Sequence, residues 1–138
     1  MGSYRLTIPA PTDWITINDE RKGNRFQRAK LVKIWRVTGA AAARAAGVPH
    51  MDAAHITAYV SFRTRTRRDP ANWSSTAKAL VDGLVDARVL DDDDATRVIG
   101  RDMRLGPLLP KAAKGTAPVW NVMGNGNFLA ACIATLLM

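Results

Sequence analysis

The sequence predicts a small mixed α+β fold, because two stretches alternate in polarity and two others repeat apolar residues at helical spacing. Tyr4–Ile8 and His55–Phe62 alternate apolar and polar residues, which is the pattern of a half-buried strand. Asn24–Ala46 and Ser75–Ala87 have the spacing of amphipathic helices. With a further strand expected at Ala95–Arg101, we predict a small mixed sheet, a long N-terminal helix and a strand–helix–strand unit.

Length and composition favour one folded domain followed by a tail of different character. The chain has 138 residues, of which 47% are hydrophobic, enough for a core. Prolines and glycines punctuate the chain after Gly106, so we predict a domain at 1–106. The tail at 107–138 is expected to pack on that domain or on a dimer interface. Within it, Val119–Val122 fits a short strand, and the apolar run Phe128–Met138 fits either a helix or a strand.

The charge balance favours a polyanionic partner. Twenty Lys and Arg residues against twelve Asp and Glu give a formal net charge of +8, and the isoelectric point is near 10.4. A basic surface gains affinity for nucleic acid because each neutralised phosphate releases counterions. A ribosome-like or merely soluble basic protein is the alternative that charge alone leaves open.

The sequence also predicts a cytoplasmic protein without membrane contact. Cys132 is the single cysteine, which excludes an intramolecular disulfide and a cysteine-caged zinc site and fits a reducing compartment. The first residues lack the basic and apolar regions of a secretory signal. The apolar run Phe128–Met138 is shorter than the roughly 20 residues that a membrane-spanning helix needs.

Two basic segments are candidates for contacts to nucleic-acid phosphates. The strand at His55–Phe62 continues into a run of arginines that share one face at strand period, and the long helix carries positive charges only. Guanidinium groups bind phosphate in a bidentate manner. A solvated helix face is the commoner structural alternative. From these segments, the predicted DNA-binding residues are Arg63, Arg65, Arg67, Arg68, Arg28 and Lys33.

Aspartates near the arginines are candidates for a divalent-cation site. Clustered carboxylates repel one another, so bound cations or ion pairs with arginine must offset that repulsion. Oxygen donors without Cys or His select Mg²⁺ or Mn²⁺ over zinc, and Mg²⁺ activates water for phosphodiester hydrolysis. Asp69 follows one strand and the pair Asp92-Asp93 precedes the next, so we expect the helix between them to bring both to the same edge of the sheet. Asp82, inside that helix, can reach inward or pair with Lys78.

Each acidic feature also has an ordinary structural interpretation. The run Asp91–Asp94 is typical of a solvated loop. The spacing of Lys78 and Asp82 is typical of a surface salt bridge of small energetic value. Asp69 before Pro70 is a common turn former. No single one of these residues identifies a function.

Taken together, these residues form a more specific pattern. It consists of Arg67-Arg68-Asp69-Pro70-Ala71-Asn72, Lys78, Asp82-Gly83-Leu84 and Asp91-Asp92-Asp93. This pattern resembles the core motif of the RusA family of Holliday-junction resolvases, which are phage- and prophage-borne endonucleases. The family motif runs Arg-Asp-x-Asp-Asn, a nearby Lys, an Asp-x-Leu in a helix and a closing Asp-Asp, and the match covers about residues 54–105.

The resemblance implies a function and a set of residue roles. It implies a homodimer with a mixed α/β fold that nicks four-way and other branched DNA junctions in the cytoplasm, with Mg²⁺ as the cofactor and Mn²⁺ as a substitute. It adds Asn72 to the DNA-binding residues. By motif position, the implied catalytic residues are Asp69, Asp93 and Lys78, and the implied metal ligands are Asp69, Asp82, Asp92 and Asp93.

Two departures from the family motif leave alternatives open. Ala71 stands where the family has its second aspartate, and the residues from Pro107 onward do not resemble the family's closing strand. Asp82, Asp92 or Asp94 could supply the missing carboxylate, which the long acidic run favours. The alternative is a branched-DNA-binding protein on the same fold with weakened or lost catalysis. A third interpretation is a basic adaptor or structural protein whose acidic turn is only a solvated loop.

Overall fold

The structure, a computed structural model, describes residues 3–17, 24–62, 66–108, 121–122 and 128–134. The described elements include both strands and helices and form a mixed α+β fold, as predicted. In chain order they are β1 (Ser3–Pro9), α1 (Arg25–Ala45), β2 (Ala54–Ser61), a 3-10 turn at Pro70–Trp73, α2 (Ser74–Asp86), β3 (Val98–Leu105), β4 (Asn121–Val122) and β5 (Phe128–Ala134).

The strands form one sheet whose central member comes from late in the chain. β5 lies between β1 and β2 and pairs with both in parallel, so that Phe128 is in register with Ser3 on one side and His55 on the other. β3 pairs in parallel with the other side of β2. The short β4 is antiparallel to its neighbours β5 and β2. The apolar run that fitted either a helix or a strand is therefore a strand over Phe128–Ala134.

The parallel pairing of β2 and β3 corrects the expected placement of the aspartates. Ala54 is in register with Val98 and Val60 with Leu105. The end of β2 and the start of β3 consequently lie at opposite edges of the sheet, and the expectation of one shared edge was wrong. Parallel strands joined by a helical crossover cannot bring those two ends together.

β3 also begins later than predicted. The sequence predicted a strand at Ala95–Arg101, whereas β3 runs from Val98 to Leu105. The physical reason is a turn at Asp94, whose carboxylate accepts a hydrogen bond from the Thr96 amide at 2.7 Å. The Asp94 carbonyl also accepts the Arg97 amide at 3.0 Å, so the backbone becomes extended only after this turn.

The helices match the sequence prediction closely and pack together at two glycines. Asn24 caps α1 by accepting the Phe26 amide at 2.9 Å. A Cβ atom at Gly83 of α2 would lie 2.2 Å from the Arg36 carbonyl oxygen, and one at Gly39 of α1 would lie 2.8 Å from the Leu80 carbonyl oxygen. Only residues without a side chain allow the two backbones to approach so closely. This contact fixes α2, which carries Lys78 and Asp82, against α1, which carries Arg28 and Lys33.

The core lies between these helices and one face of the sheet. Ala54, Ile56, Ala58 and Val60 of β2 are buried, whereas the residues between them are half-buried, which confirms the predicted alternation. Trp35 of α1 is fully buried. No helix within the described ranges is both long and apolar enough to cross a membrane.

Two sets of hydrogen bonds tie the segment after β1 to both helices. The Trp35 indole N–H donates to the Asp13 carbonyl at 2.8 Å. The fully buried Thr76 hydroxyl accepts the Ile15 amide at 3.0 Å and donates to the Ile15 carbonyl at 2.8 Å. This pair of hydrogen bonds between α2 and a distant loop fixes Ile15, which forms one wall of the site described next.

Candidate functional site

Two of the predicted site aspartates meet at one lysine. The Lys78 ammonium donates to Asp82 Oδ1 at 2.8 Å, one helical turn along α2, and also donates to Asp93 Oδ2 in the loop before β3. The Asp93 amide in turn donates to Asp92 Oδ1 at 2.7 Å. Lys78, Asp82 and Asp93, which the sequence singled out, are therefore in direct contact, because the loop after α2 folds back onto the helix.

The charges in this cluster stabilise one another. Hydrogen bonding to Lys78 is the main cause that lowers the pKa of Asp93 below its usual value. Partial burial by itself lowers the pKa of Lys78, but the hydrogen bonds to Asp82 and Asp93 outweigh it, so that pKa is raised overall. The lysine is therefore a stable cation that both carboxylates share.

Asp91 and Asp94, the other aspartates of the acidic run, make contacts that stabilise the loop before β3. Asp91 Oδ1 is 3.0 Å from His50 Nε2, and its other oxygen is 3.7 Å from Arg97 Nη1. Hydrogen bonds from Thr96 hold the pKa of Asp94 below its usual value. Asp94 is thus engaged in shaping the turn before β3, and Asp92 is left as the exposed neighbour of Asp93.

Asp69 belongs to a different part of the surface. Its Oδ1 accepts the Ala71 amide at 3.0 Å, which makes it the cap of the 3-10 turn. Together with Asn72 and Arg67 it lines a recess of about 420 Å³ ahead of α2. Within the described part of the chain, its side chain makes no bond to Lys78 or to the carboxylates that Lys78 holds.

The donor set of this cluster fits a small divalent cation only in part. Asp82 and Asp93 present carboxylate oxygens to a single position, which the Lys78 ammonium occupies. Among the described residues, however, no group of three His, Cys, Asp or Glu side chains is close enough to hold a metal. The four predicted metal ligands stay a prediction, with Asp82 and Asp93 placed together and Asp69 placed apart.

The predicted DNA-binding arginines that follow β2 differ in their surroundings where the structure describes them. Arg63 and Arg65 lie outside the described residues. Arg67 is exposed. The Arg68 guanidinium lies 3.9 Å from the centre of the Phe62 ring, and burial lowers its pKa. Arg68 is thus anchored on an aromatic cluster, where Phe62 also contacts Trp73 with ring centroids 4.9 Å apart.

A cavity of about 400 Å³ lies beside the Lys78–Asp82 pair. Its walls come from α1, α2, β3 and the segment after β1. Three of the lining side chains are cationic and one is a carboxylate. The residues that line it are Ile15, Arg28, Val32, Ser74, Ser75, Lys78, Ala79, Asp82 and Arg101.

The two predicted DNA-binding residues of α1 lie on opposite faces of that helix. Arg28 precedes the buried Trp35 by two turns on the same side of the helix, and it lines the cavity while remaining exposed to solvent. Lys33 belongs to the outward face, which it shares with the exposed Phe26 and Val37. Of these two cations, only Arg28 is next to the acidic cluster.

Arg101 is a charged residue of the cavity lining that the sequence analysis did not single out as a site residue. It has a φ of +75°, and Gly100 before it has a φ of +83°. Ile56 pairs with Gly100 and Thr57 pairs with Asp102, so Arg101 is an extra, bulged residue between two paired ones. A non-glycine residue in this left-handed conformation costs roughly 1 kcal/mol. Periodicity alone carries no signal for such a bulge, although a glycine inside a strand pattern is a weak hint.

No protein-family model matches this chain, and no curated protein was found to match it. The resemblance to the RusA motif therefore remains an interpretation of the sequence.

Proposed function

We propose that this protein is a divalent-metal-dependent endonuclease that hydrolyses phosphodiester bonds in branched DNA, and four-way junctions above all. The observation that carries the proposal is the meeting of Asp82 and Asp93 at Lys78, beside a cavity that Arg28 and Arg101 also line. Carboxylates that can hold a metal, next to cations that can bind a phosphate, are parts that metal-assisted phosphodiester hydrolysis uses.

The charge of the chain supports DNA as the partner. The formal net charge is +8, and the outward face of α1 displays Lys30 and Lys33, both exposed. Phosphate contacts of this kind position the nucleic acid without reading its sequence. We therefore expect recognition of branch shape and a strong dependence of affinity on salt. The homodimer that the RusA motif implies would present two such sites to one junction, in the cytoplasm.

Mg²⁺ is the cofactor that we propose for this donor set, with Mn²⁺ as a substitute. Asp82 and Asp93 would hold it, because Mg²⁺ takes one or two protein carboxylates together with water and phosphate oxygens. When bound, the ion would supply Lewis acidity at the phosphoryl oxygen and an activated water. Of the two further ligands that the motif suggests, Asp92 adjoins Asp93, whereas Asp69 lies apart from this pair.

The chain's own residues would orient the phosphate and balance its charge. Arg28, on the side of α1 that faces the cavity, would contact a non-bridging phosphate oxygen. Lys78, released from one carboxylate, would neutralise the negative charge that builds up on the phosphoryl group.

A second candidate function is branched-DNA binding without cleavage. Two observations favour it: Ala71 stands where the family motif has an aspartate, and the Lys78 ammonium occupies the position that a metal would need. In that case the Lys78 ammonium would take the place of the metal, and the basic surface that binds DNA would remain.

Cleavage and binding of a four-way junction, assayed separately, distinguish the two functions. The nuclease proposal expects Mg²⁺- or Mn²⁺-dependent incision by the wild type, lost in Asp82→Asn and Asp93→Asn while junction affinity is retained. Asp52→Asn is the matched control, because Asp52 is exposed and distant in sequence from the cluster. Tight binding with no incision at any divalent ion would overturn the nuclease in favour of the binding protein. Failure of the wild type to bind branched DNA would overturn both.

A further inference from the structure

The bulge at Arg101 aims a guanidinium group at the cavity. An ordinary β3 residue at this position would pair with β2, but the left-handed φ of +75° takes Arg101 out of the ladder. Its side chain is half-buried and lines the cavity with Lys78 and Asp82. Within the described ranges Arg101 makes no ion pair and no side-chain hydrogen bond.

The neighbouring residues hold this bulge in place. His55 Nε2 lies 2.7 Å from Asp102 Oδ2, directly after Arg101. A Cβ atom at Gly100 would lie 3.2 Å from the His55 ring, so the glycine lets the ring close over the backbone. The contacts of Gly100 and Asp102, the residues on either side of Arg101, therefore hold the strained conformation in place.

The cavity has the composition of an anion site. Arg28 and Arg101 line it from α1 and β3, and Lys78, which contacts Asp82 and Asp93, adds a third cation from α2. Two guanidinium groups that line one cavity can bind the same anion, which offsets the repulsion between their like charges. Its apolar walls strengthen any ion pair formed inside, and the serine hydroxyls at the start of α2 add hydrogen-bond donors.

We propose that this cavity is a phosphate-binding site in which Arg101 and Arg28 hold one phosphate group beside the Lys78–Asp82 pair. Planar guanidinium groups match the oxygens of a phosphate by paired hydrogen bonds. That the phosphate belongs to a DNA backbone rests on the proposed function, whereas the phosphate chemistry itself does not. Arg101 is then the residue that positions the backbone against the carboxylates.

The first test uses inorganic phosphate and the full chain. Backbone amide NMR shifts are followed in a phosphate titration of the wild type, Arg101→Asn, Arg101→Lys and Arg104→Asn. Asparagine tolerates a positive φ, so it removes the charge with little change to the bulge. Arg104 is the matched control, an exposed arginine of the same strand.

The expected result is saturable shifts at Ser74, Ser75 and Arg101 in the wild type. Affinity should fall by about tenfold or more in Arg101→Asn, in keeping with the loss of a charge-assisted bond. Arg101→Lys should be intermediate, and Arg104→Asn unchanged. Absence of saturable binding in the wild type, or equal affinity of Arg101→Asn, overturns the proposal. If Arg101→Asn does not fold, Arg28→Gln replaces it, since Arg28 is an exposed helix residue and the same loss of phosphate affinity is expected there.

The second test asks whether DNA is the source of the phosphate. Junction affinity is measured against salt concentration, and Arg101→Asn should reduce the slope of log affinity against log salt by about one contact. Phosphate binding at the cavity without junction binding by the wild type would keep the anion site and overturn the proposed function. Junction binding with an unchanged slope would overturn the assignment of this phosphate to DNA.

Discussion

Asp93 accepts a hydrogen bond from Lys78, which stands fifteen residues earlier in the chain and belongs to α2. Through this ammonium group Asp93 is connected to Asp82, the next residue on the same face of the helix. The hydrogen bond from Lys78 therefore holds the Asp93 carboxylate against the surface of α2. A metal that bound Asp82 and Asp93 would compete with the Lys78 ammonium for this position.

Replacing Lys78 by methionine should open that position to a cation. Without metal, Asp82 and Asp93 then face each other unneutralised, and stability should fall by about 1 kcal/mol or less, because Lys78 is 46% exposed. Added Mn²⁺ should raise the melting temperature of Lys78→Met more than that of the wild type. Lys30→Met, on the outward face of α1, is the control. Equal Mn²⁺ shifts in all three proteins would count against a cation site at these carboxylates.

The Arg36–Asp86 ion pair should make the stability of the protein depend on pH in the acidic range. Hydrogen bonding to Arg36 lowers the pKa of Asp86, so the pair stabilises the protein above the unfolded pKa of about 3.8. That stabilisation is lost as the pH falls through the lower, folded pKa. Because the side chains are 45% and 38% exposed, its size is about 1 kcal/mol or less.

Urea unfolding of Asp86→Asn at neutral and acidic pH checks this sign. The difference from wild type should be present at pH 7 and shrink toward zero below the folded pKa. Asp52→Asn, without an ion pair in the described structure, should show no such convergence. A difference that grows on acidification would contradict the assignment.

Gly83→Ala should destabilise the protein although alanine is the better helix former. The added Cβ would meet the Arg36 carbonyl oxygen at 2.2 Å, so the helices must separate, which typically costs about 1–3 kcal/mol. At an exposed helix position without such a contact, alanine is more stabilising than glycine. Ala41→Gly, on an exposed part of α1, should therefore lower the free energy of unfolding by about 1 kcal/mol. A higher urea midpoint for Gly83→Ala would show that the helices are not in close contact there.

Thr76→Val should destabilise both the core and the position of Ile15, which lines the cavity. Valine has nearly the same shape but leaves both the amide and the carbonyl of Ile15 without their partner, a loss of about 1–3 kcal/mol in unfolding free energy. Thr76→Ser keeps the hydroxyl and should lose less, since only a methyl group is removed. An equal loss in the two variants would mean that packing, and not these hydrogen bonds, fixes Ile15.

The sequence predicted the elements whose two faces differ in environment. α1, α2, β1 and β2 each have one side toward the core, so periodicity located them within a few residues. Phe128–Ala134 could not be assigned in this way, because an unbroken apolar run has no period, as is typical of a strand inside a parallel sheet. The start of β3 was predicted too early because the turn at Asp94 depends on side-chain hydrogen bonds that periodicity does not register.

The same limit applies to the candidate site. The contact of Lys78 with Asp82 follows from their helical spacing, and was predicted as one alternative. The contact with Asp93 depends on the path of a loop, which no local pattern encodes. Arg101 was missed because its role depends on a register shift between two strands and on a positive φ, and both are properties of tertiary structure.

The central place of β5 has a consequence for biosynthesis. β1 and β2 are both made early, yet the strand that joins them is translated only at residues 128–134. Until then a nascent chain carries two unpaired strand edges, each able to associate with another chain. Contacts between segments so far apart in sequence also slow folding. Premature termination anywhere before residue 128 would leave a fragment with helices and an open sheet, prone to aggregation and dependent on chaperones during translation.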